Sequence, residues 1–152
     1  MNELSARNLL ESYFVDVLNL PADACEWLLG LWDATQFLDD VADKDDVPRD
    51  RLDNAMNQLL VQMPANSFFI KHPTQLLTTV AVFISKWQAS DRLERLNRAD
   101  EKTYMWRAGY YDVVLMVTIL CHGLDAGNKI AADILSLYGE TYESYKEEFA
   151  NG

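Results

Sequence analysis

The sequence predicts an all-α fold: a single domain over residues 1–152, a compact bundle of about six helices packed round a buried central helix at about 104–124. Three observations carry this. Six glycines and four prolines leave few turn signals in the chain. Between them, apolar residues recur at helical period over long stretches, with no strand-turn-strand alternation in competition. The hydrophobic content of 49%, with 11% aromatic residues, is enough to bury one substantial core.

The elements follow in chain order. The first helix is predicted from about Ser5, as its N-cap, to Leu18, with Leu9, Leu10, Tyr13, Phe14 and Val17 on one stripe. "LNLPADA" interrupts it, and Pro21 suits the first turn of a second helix that reaches Asp43. "DKDDVPRDR" ends that helix, because the residue before Pro48 is pushed out of the α region. A third helix runs from Pro48 to about Met63 through Leu52, Met56, Leu59 and Leu60, and Phe68, Phe69 and Ile70 form a short helical turn in the connection that follows. The fourth spans about Thr74 to Leu96 and the fifth about Asp100 to Leu124. The last starts after "GLDAG" and breaks at Gly139. Beyond it, residues 140–152 carry Tyr142, Tyr145 and Phe149 at i, i+3 and i+7, a segment that either docks as a helix or frays. The fifth helix differs from the rest. From Tyr104 to Leu124 it is apolar nearly all round, which places it at the centre with the second and fourth helices against it.

Charge limits the function. With 24 acidic and 13 basic residues the chain carries −11, which repels phosphate backbones and anionic lipid, so neither nucleic acid nor membrane is expected as a partner. The longest apolar run, Val113 to Cys121, is too short to span a bilayer. "MNELSARNLLESYF" lacks the basic and apolar regions of a secretory signal. Cys25 and Cys121 lie in apolar helical patterns without zinc-ligand spacing, so both are expected as buried free thiols of a cytoplasmic protein.

"QFLDDVADKDD" is the densest cluster of acids. On a helical wheel Asp33, Gln36, Asp40 and Asp43 share an arc of about 80°, with Trp27, Leu31, Ala34, Phe37, Leu38 and Val41 on the other side. One reading is a solvated acidic face running into a polar loop. The other starts from the repulsion among like charges one turn apart near a helix C-terminus, which a divalent cation relieves. Asp40 and Asp43 can share Mg²⁺, with Asp39 leaning toward the same ion, and Mg²⁺ so held commonly bridges to phosphate oxygens.

Ala34, Gln36, Asp39, Asp40 and Asp43, as "AxQxxDDxxD", make this helix resemble the aspartate-rich helix of the helical trans-isoprenoid synthases, and Arg49 and Arg51 resemble the arginines that follow it there. The resemblance spans roughly a dozen residues. It implies Mg²⁺ at Asp39, Asp40 and Asp43 and a diphosphate-bearing substrate. On the fourth helix Leu77, Val80, Ile84, Trp87 and Asp91 form a stripe that carries Asp91 toward the core, with Glu94 a turn further. Asp40-xx-Asp43 and Asp91-xx-Glu94 together loosely resemble the acidic pairs of the all-α nucleoside triphosphate pyrophosphatases, which implies the same Mg²⁺ chemistry.

The fifth helix adds Arg107, suited to clamp a phosphate, with Tyr111 beside it as a hydrogen-bond donor and Asp112 on another side. The alternative is a buried polar network: Arg107 paired with Asp39, Asp40 or Asp91, and Asp112 with Lys86 or Lys71. His122, before Gly123, is read as a helix cap and His72 as an exposed loop residue. Two functions remain. The first is a non-catalytic interaction or homo-oligomerising module whose core must take Trp27, Trp32, Trp87 and Trp106. The second is an Mg²⁺-dependent enzyme or binder for a diphosphate-bearing small molecule, with metal at Asp39, Asp40 and Asp43, Asp91 and Glu94 completing the site, and Arg107 and Tyr111 on phosphate.

Overall fold

In the computed structural model, residues 3–150 are described and fall into helices, with no strand among them. The chain divides into two compact units, residues 1–73 and 74–152. No helix among the described residues is long and apolar enough to cross a membrane.

The first unit opens with α1 (Glu3–Ser12), which widens into a π turn at Tyr13–Val17. The chain reverses at Asn19, whose φ is +50°, and α2 (Ala22–Ala42) begins directly after Pro21. Leu10, Phe14, Leu18, Leu20, Ala24, Trp27, Leu28, Leu31 and Ala34 are buried. The inward stripe of α1 is therefore Leu10, Phe14, Leu18, whereas Leu9 and Val17, assigned to it from the sequence, are exposed. The π turn adds a residue to the helical repeat and brings Leu18 inward in place of Val17. α3 (Arg49–Asn57) follows Pro48, widens into a second π turn at Gln58–Gln62 and continues as α4 (Met63–Ala65). α5 (Ser67–Lys71), the predicted Phe-Phe-Ile turn, is capped by Asn66, whose side chain accepts from the Phe69 N–H. It buries Phe68 and stacks Phe69 on Trp27 at 6.1 Å between ring centres.

The second unit contains nearly all of α6 (Pro73–Arg95), then α7 (Glu101–Trp106), α8 (Tyr110–His122), α9 (Leu124–Leu135) and α10 (Tyr142–Ala150). The predicted central helix is two helices. It breaks between Trp106 and Tyr110, where the Ala108, Tyr111 and Asp112 amides each donate to the carbonyl three residues back. Gly109 explains the break, because a Cβ there would lie 2.8 Å from Phe83 Cδ1 and 3.2 Å from its Cα. The backbone of the turn lies directly on α6, closer than any side chain permits. Within α8 the expectation of an apolar helix buried on all sides does hold, since no residue from Tyr110 to Cys121 is exposed.

Gly123, at φ +93°, reverses the chain so that α9 packs back along α8. The last helix starts earlier than predicted, at Leu124, and ends at Leu135, so that Gly139 lies within the break that separates it from α10 and not at the helix end. Segment 140–150 docks through Tyr145, which is fully buried; residues 151–152 lie outside the described chain.

Other corrections concern side chains. Trp27 is buried, Trp32 and Trp87 are half-buried, and Trp106 is exposed with Lys86 over its ring. His72 is half-buried at the C-cap of α5, its ring against Phe68. Cys121 is half-buried, and Cys25 is the buried thiol expected.

Replacing Gly109 with Ala removes the flexibility cost of a glycine but presses on the backbone of α6. The expected outcome is a loss of about 1–3 kcal/mol in urea unfolding. An unchanged midpoint would show that Phe83 moves aside without strain.

Candidate functional site

The acidic end of α2 meets the start of α3 across residues 43–48. Pro48 fixes the start of α3, so Arg51 lies in its first turn and reaches back to Asp40. Arg51 Nη1 donates to Asp40 Oδ2 at 2.6 Å, and both side chains are partly shielded from solvent. Asp43 is exposed and serves as the C-cap of α2, its N–H donating to the Asp39 carbonyl. Asp39 is half-buried. Asp33, on the same acidic arc, accepts two-pronged hydrogen bonds from Arg7 of α1, from Nε at 2.9 Å and Nη2 at 3.2 Å. The repulsion that suggested a metal is thus relieved by guanidinium groups of the same unit.

No group of three or more His, Cys, Asp or Glu side chains among the described residues is arranged to hold a metal ion. Asp40 faces Arg51, Asp43 faces solvent, and Asp91 and Glu94 belong to the other unit, where each has its own arginine.

The residues predicted on helices four and five do converge, as a buried polar network. Glu94 is buried on α6, its side chain 7% exposed. Arg107 Nη1 donates to Glu94 Oε2 at 3.0 Å, and the Tyr145 hydroxyl donates to the same oxygen at 2.8 Å. The Tyr145 hydroxyl also shares a short hydrogen bond with Thr103 Oγ1. Thr103 itself is fixed by a capping box with Asp100 at the start of α7, and its carbonyl accepts from Ser90 at 3.0 Å. α6, α7 and α10 thus meet at one carboxylate.

Asp91 pairs with Arg95 one turn along, at 3.0 Å, and Asp112 with Lys86 at 2.7 Å. The second is one of the two pairings foreseen for Asp112. Arg107 pairs with Glu94, a partner the sequence reading did not name for it. The stripe on α6 is rotated by one residue, so the buried set is Leu76, Phe83, Ser90 and Glu94, and Asp91 lies at its edge.

Around this network lies a tyrosine cluster. Tyr104 packs on Tyr138, Tyr142 and Tyr145 at 5.0–5.6 Å between ring centres, and Tyr145 on Phe149 at 4.9 Å. The Tyr104 hydroxyl donates to the Glu140 carbonyl, Tyr138 to the Tyr104 carbonyl, and Tyr111 to the Leu137 carbonyl at 3.1 Å. Burial pushes the Tyr111 phenol up to about 12, and it also raises Tyr104, Tyr138 and Tyr145. At neutral pH these hydroxyls keep their protons and act as donors: Tyr104, Tyr111 and Tyr138 tie backbone carbonyls in place, and Tyr145 serves the Glu94 carboxylate. Sequence reading missed Thr103 and Tyr138. The capping spacing Asp100-xx-Thr103 was a usable signal for the first; no local pattern marks the second.

Burial raises the Glu94 carboxyl above its ordinary 4.5, against the opposing pull of Arg107 and of the hydrogen bond from Tyr145. The folded chain therefore holds that proton more tightly than the unfolded one, and this contribution to stability is full below pH 4.5 and lost as pH rises through the raised value. A Glu94→Gln chain lacks the dependence, so its stability relative to the parent should improve between pH 4 and 7 in urea titrations; a pH-independent difference would refute the assignment. Tyr145→Phe leaves the carboxylate one donor short, and it should cost about 1–3 kcal/mol at neutral pH by the same titration. No protein-family model, no curated protein and no solved structure matches the chain.

Proposed function

We propose that the chain is a non-catalytic interaction module that self-associates or binds a protein partner through apolar helix faces its own fold leaves open. The observation that carries this reading is a pair of uncovered stripes. On α6 the apolar pattern is doubled: Leu76 and Phe83 are buried, while Leu77 and Ile84, one residue further round, are 57% and 46% exposed. On α3 and the π turn after it, Leu52, Met56 and Leu60 repeat every four residues, and Leu60 is 72% exposed. Scattered surface leucines need no explanation, but ordered stripes at helical period match the way helices present anchors to one another. The buried carboxylate and the high-pKa tyrosines are all engaged within their own unit, which favours a scaffold over a reaction centre. The net charge of −11 agrees with a partner that is neither nucleic acid nor anionic membrane, and with a soluble cytoplasmic setting.

Self-association through these stripes has a distinct salt signature. Two copies of charge −11 repel at low ionic strength, so screening should raise the dimer fraction seen by light scattering on eluting protein. A Leu77→Glu/Ile84→Glu chain should stay monomeric in both salts, bind less bis-ANS and unfold within about 0.5 kcal/mol of the parent, because the altered positions face solvent. A parent chain that is monomeric at high salt and binds no bis-ANS overturns the reading.

A further inference from the structure

The first unit holds a groove of about 340 Å³ between α1, α2 and α3, lined in part by Trp32, Gln36, Asn54 and Gln58. Three of these side chains are carboxamides, and none of Gln36, Asn54 and Gln58 makes a side-chain hydrogen bond to another described residue. Gln36 and Gln58 are nevertheless half-buried. The groove also has an apolar lining, from Trp32 and Phe37, and Arg7 and Arg51 are held on it by Asp33 and Asp40.

Two further features concern Gln58. It starts the π turn Gln58–Gln62, a local irregularity often found where helices carry function. Its carboxamide also rests over Gly30 of α2, where a Cβ would lie 3.0 Å from Gln58 Nε2. A glycine in the middle of a long helix costs roughly 1 kcal/mol relative to alanine, and here it makes room for the amide at the groove.

We infer that this groove binds an extended peptide segment. A carboxamide presents a donor and an acceptor side by side, the complement of a backbone N–H and C=O. Asn54 and Gln58, one helical turn apart, place their Cβ atoms about 5–6 Å apart. An extended strand turns an N–H and C=O pair to the same side every second residue, about 6.6 Å along. Gln36 faces the segment from α2, and the aromatic lining takes an apolar side chain. A volume of 340 Å³ holds about three residues of such a segment. The site stands apart from the apolar stripes of the proposed function, so its failure leaves that reading intact.

The test is an NMR titration of ¹⁵N-labelled full chain with acetyl-Ala-Leu-Ala-N-methylamide, which is uncharged and presents only backbone amides and one apolar side chain. The expected result is saturable movement of the Gln36, Asn54 and Gln58 side-chain NH₂ signals at millimolar peptide. The ester analogue lacking the leucine N–H should bind about fivefold more weakly, as should Gln58→Met, each having lost one hydrogen bond. Gly30→Ala, which displaces the Gln58 amide while favouring the helix, should weaken binding without lowering the melting temperature. Unmoved side-chain signals overturn the inference, as does equal binding of the ester. Movement with uridine, whose base edge offers the same donor and acceptor, but not with peptide would also overturn it.

Discussion

Glu94 sets the terms for the second unit. A carboxylate on the inward face of a helix loses several kcal/mol of hydration, and the fold must return it as hydrogen bonds from donors already in place. Those donors come from different helices: Arg107 at the end of α7 and Tyr145 of α10. Neither reaches Glu94 unless α7 stops at Trp106 and α10 lies alongside it. The break in the long apolar segment, the capping box that orients α7 and the docking of the C-terminal helix are therefore one arrangement, fixed by a single charge. The tyrosine cluster reinforces it. Each hydroxyl that ties down a carbonyl between Tyr104 and Glu140 also holds the irregular chain between α9 and α10 near the network.

Much of this fold is legible in the sequence because helical period and proline position are local properties. Pro21 and Pro48 mark the starts of α2 and α3 to within a residue, and the Phe-Phe-Ile run marks α5. What local pattern does not carry is rotation. α6 has two apolar stripes 100° apart, and hydrophobicity alone gives no reason to bury Leu76 and Phe83 in preference to Leu77 and Ile84. The choice is made by Gly109, which admits the chain against Phe83, and by Arg107, which draws Glu94 inward. Both lie more than a dozen residues from the stripe. The π turns are hidden for a similar reason: an added residue shifts the register of Leu18 against Leu9 and Val17 without a composition change to announce it.

The acidic cluster shows the same limit at a candidate site. The sequence correctly locates a group of carboxylates whose mutual repulsion needs relief, and the physical argument for a counter-charge holds. It does not identify the counter-charge. Arg51 is eleven residues from Asp40 and Arg7 is 26 from Asp33, so neither pair follows a helical spacing. A guanidinium supplies the positive charge that a divalent ion would, and it does so without dehydrating a cation, so an aspartate-rich helix with arginines on its neighbours has a metal-free solution. The DDxxD spacing describes the carboxylates alone and is blind to that alternative.

Net charge and uncovered apolar stripes are best understood together. A small chain that leaves ordered rows of leucine and isoleucine in water is prone to associate with anything similar, and long-range repulsion is a general means of suppressing such contacts. At −11 the charge opposes self-contact at low ionic strength, an opposition that dissolved ions screen. On the proposed function, the acids on α2 and in the loop after it would make the approach of a second apolar surface depend on its charge. Apolar stripes would then supply affinity and the net acidic charge discrimination, the division of labour by which interfaces separate strength from choice of partner.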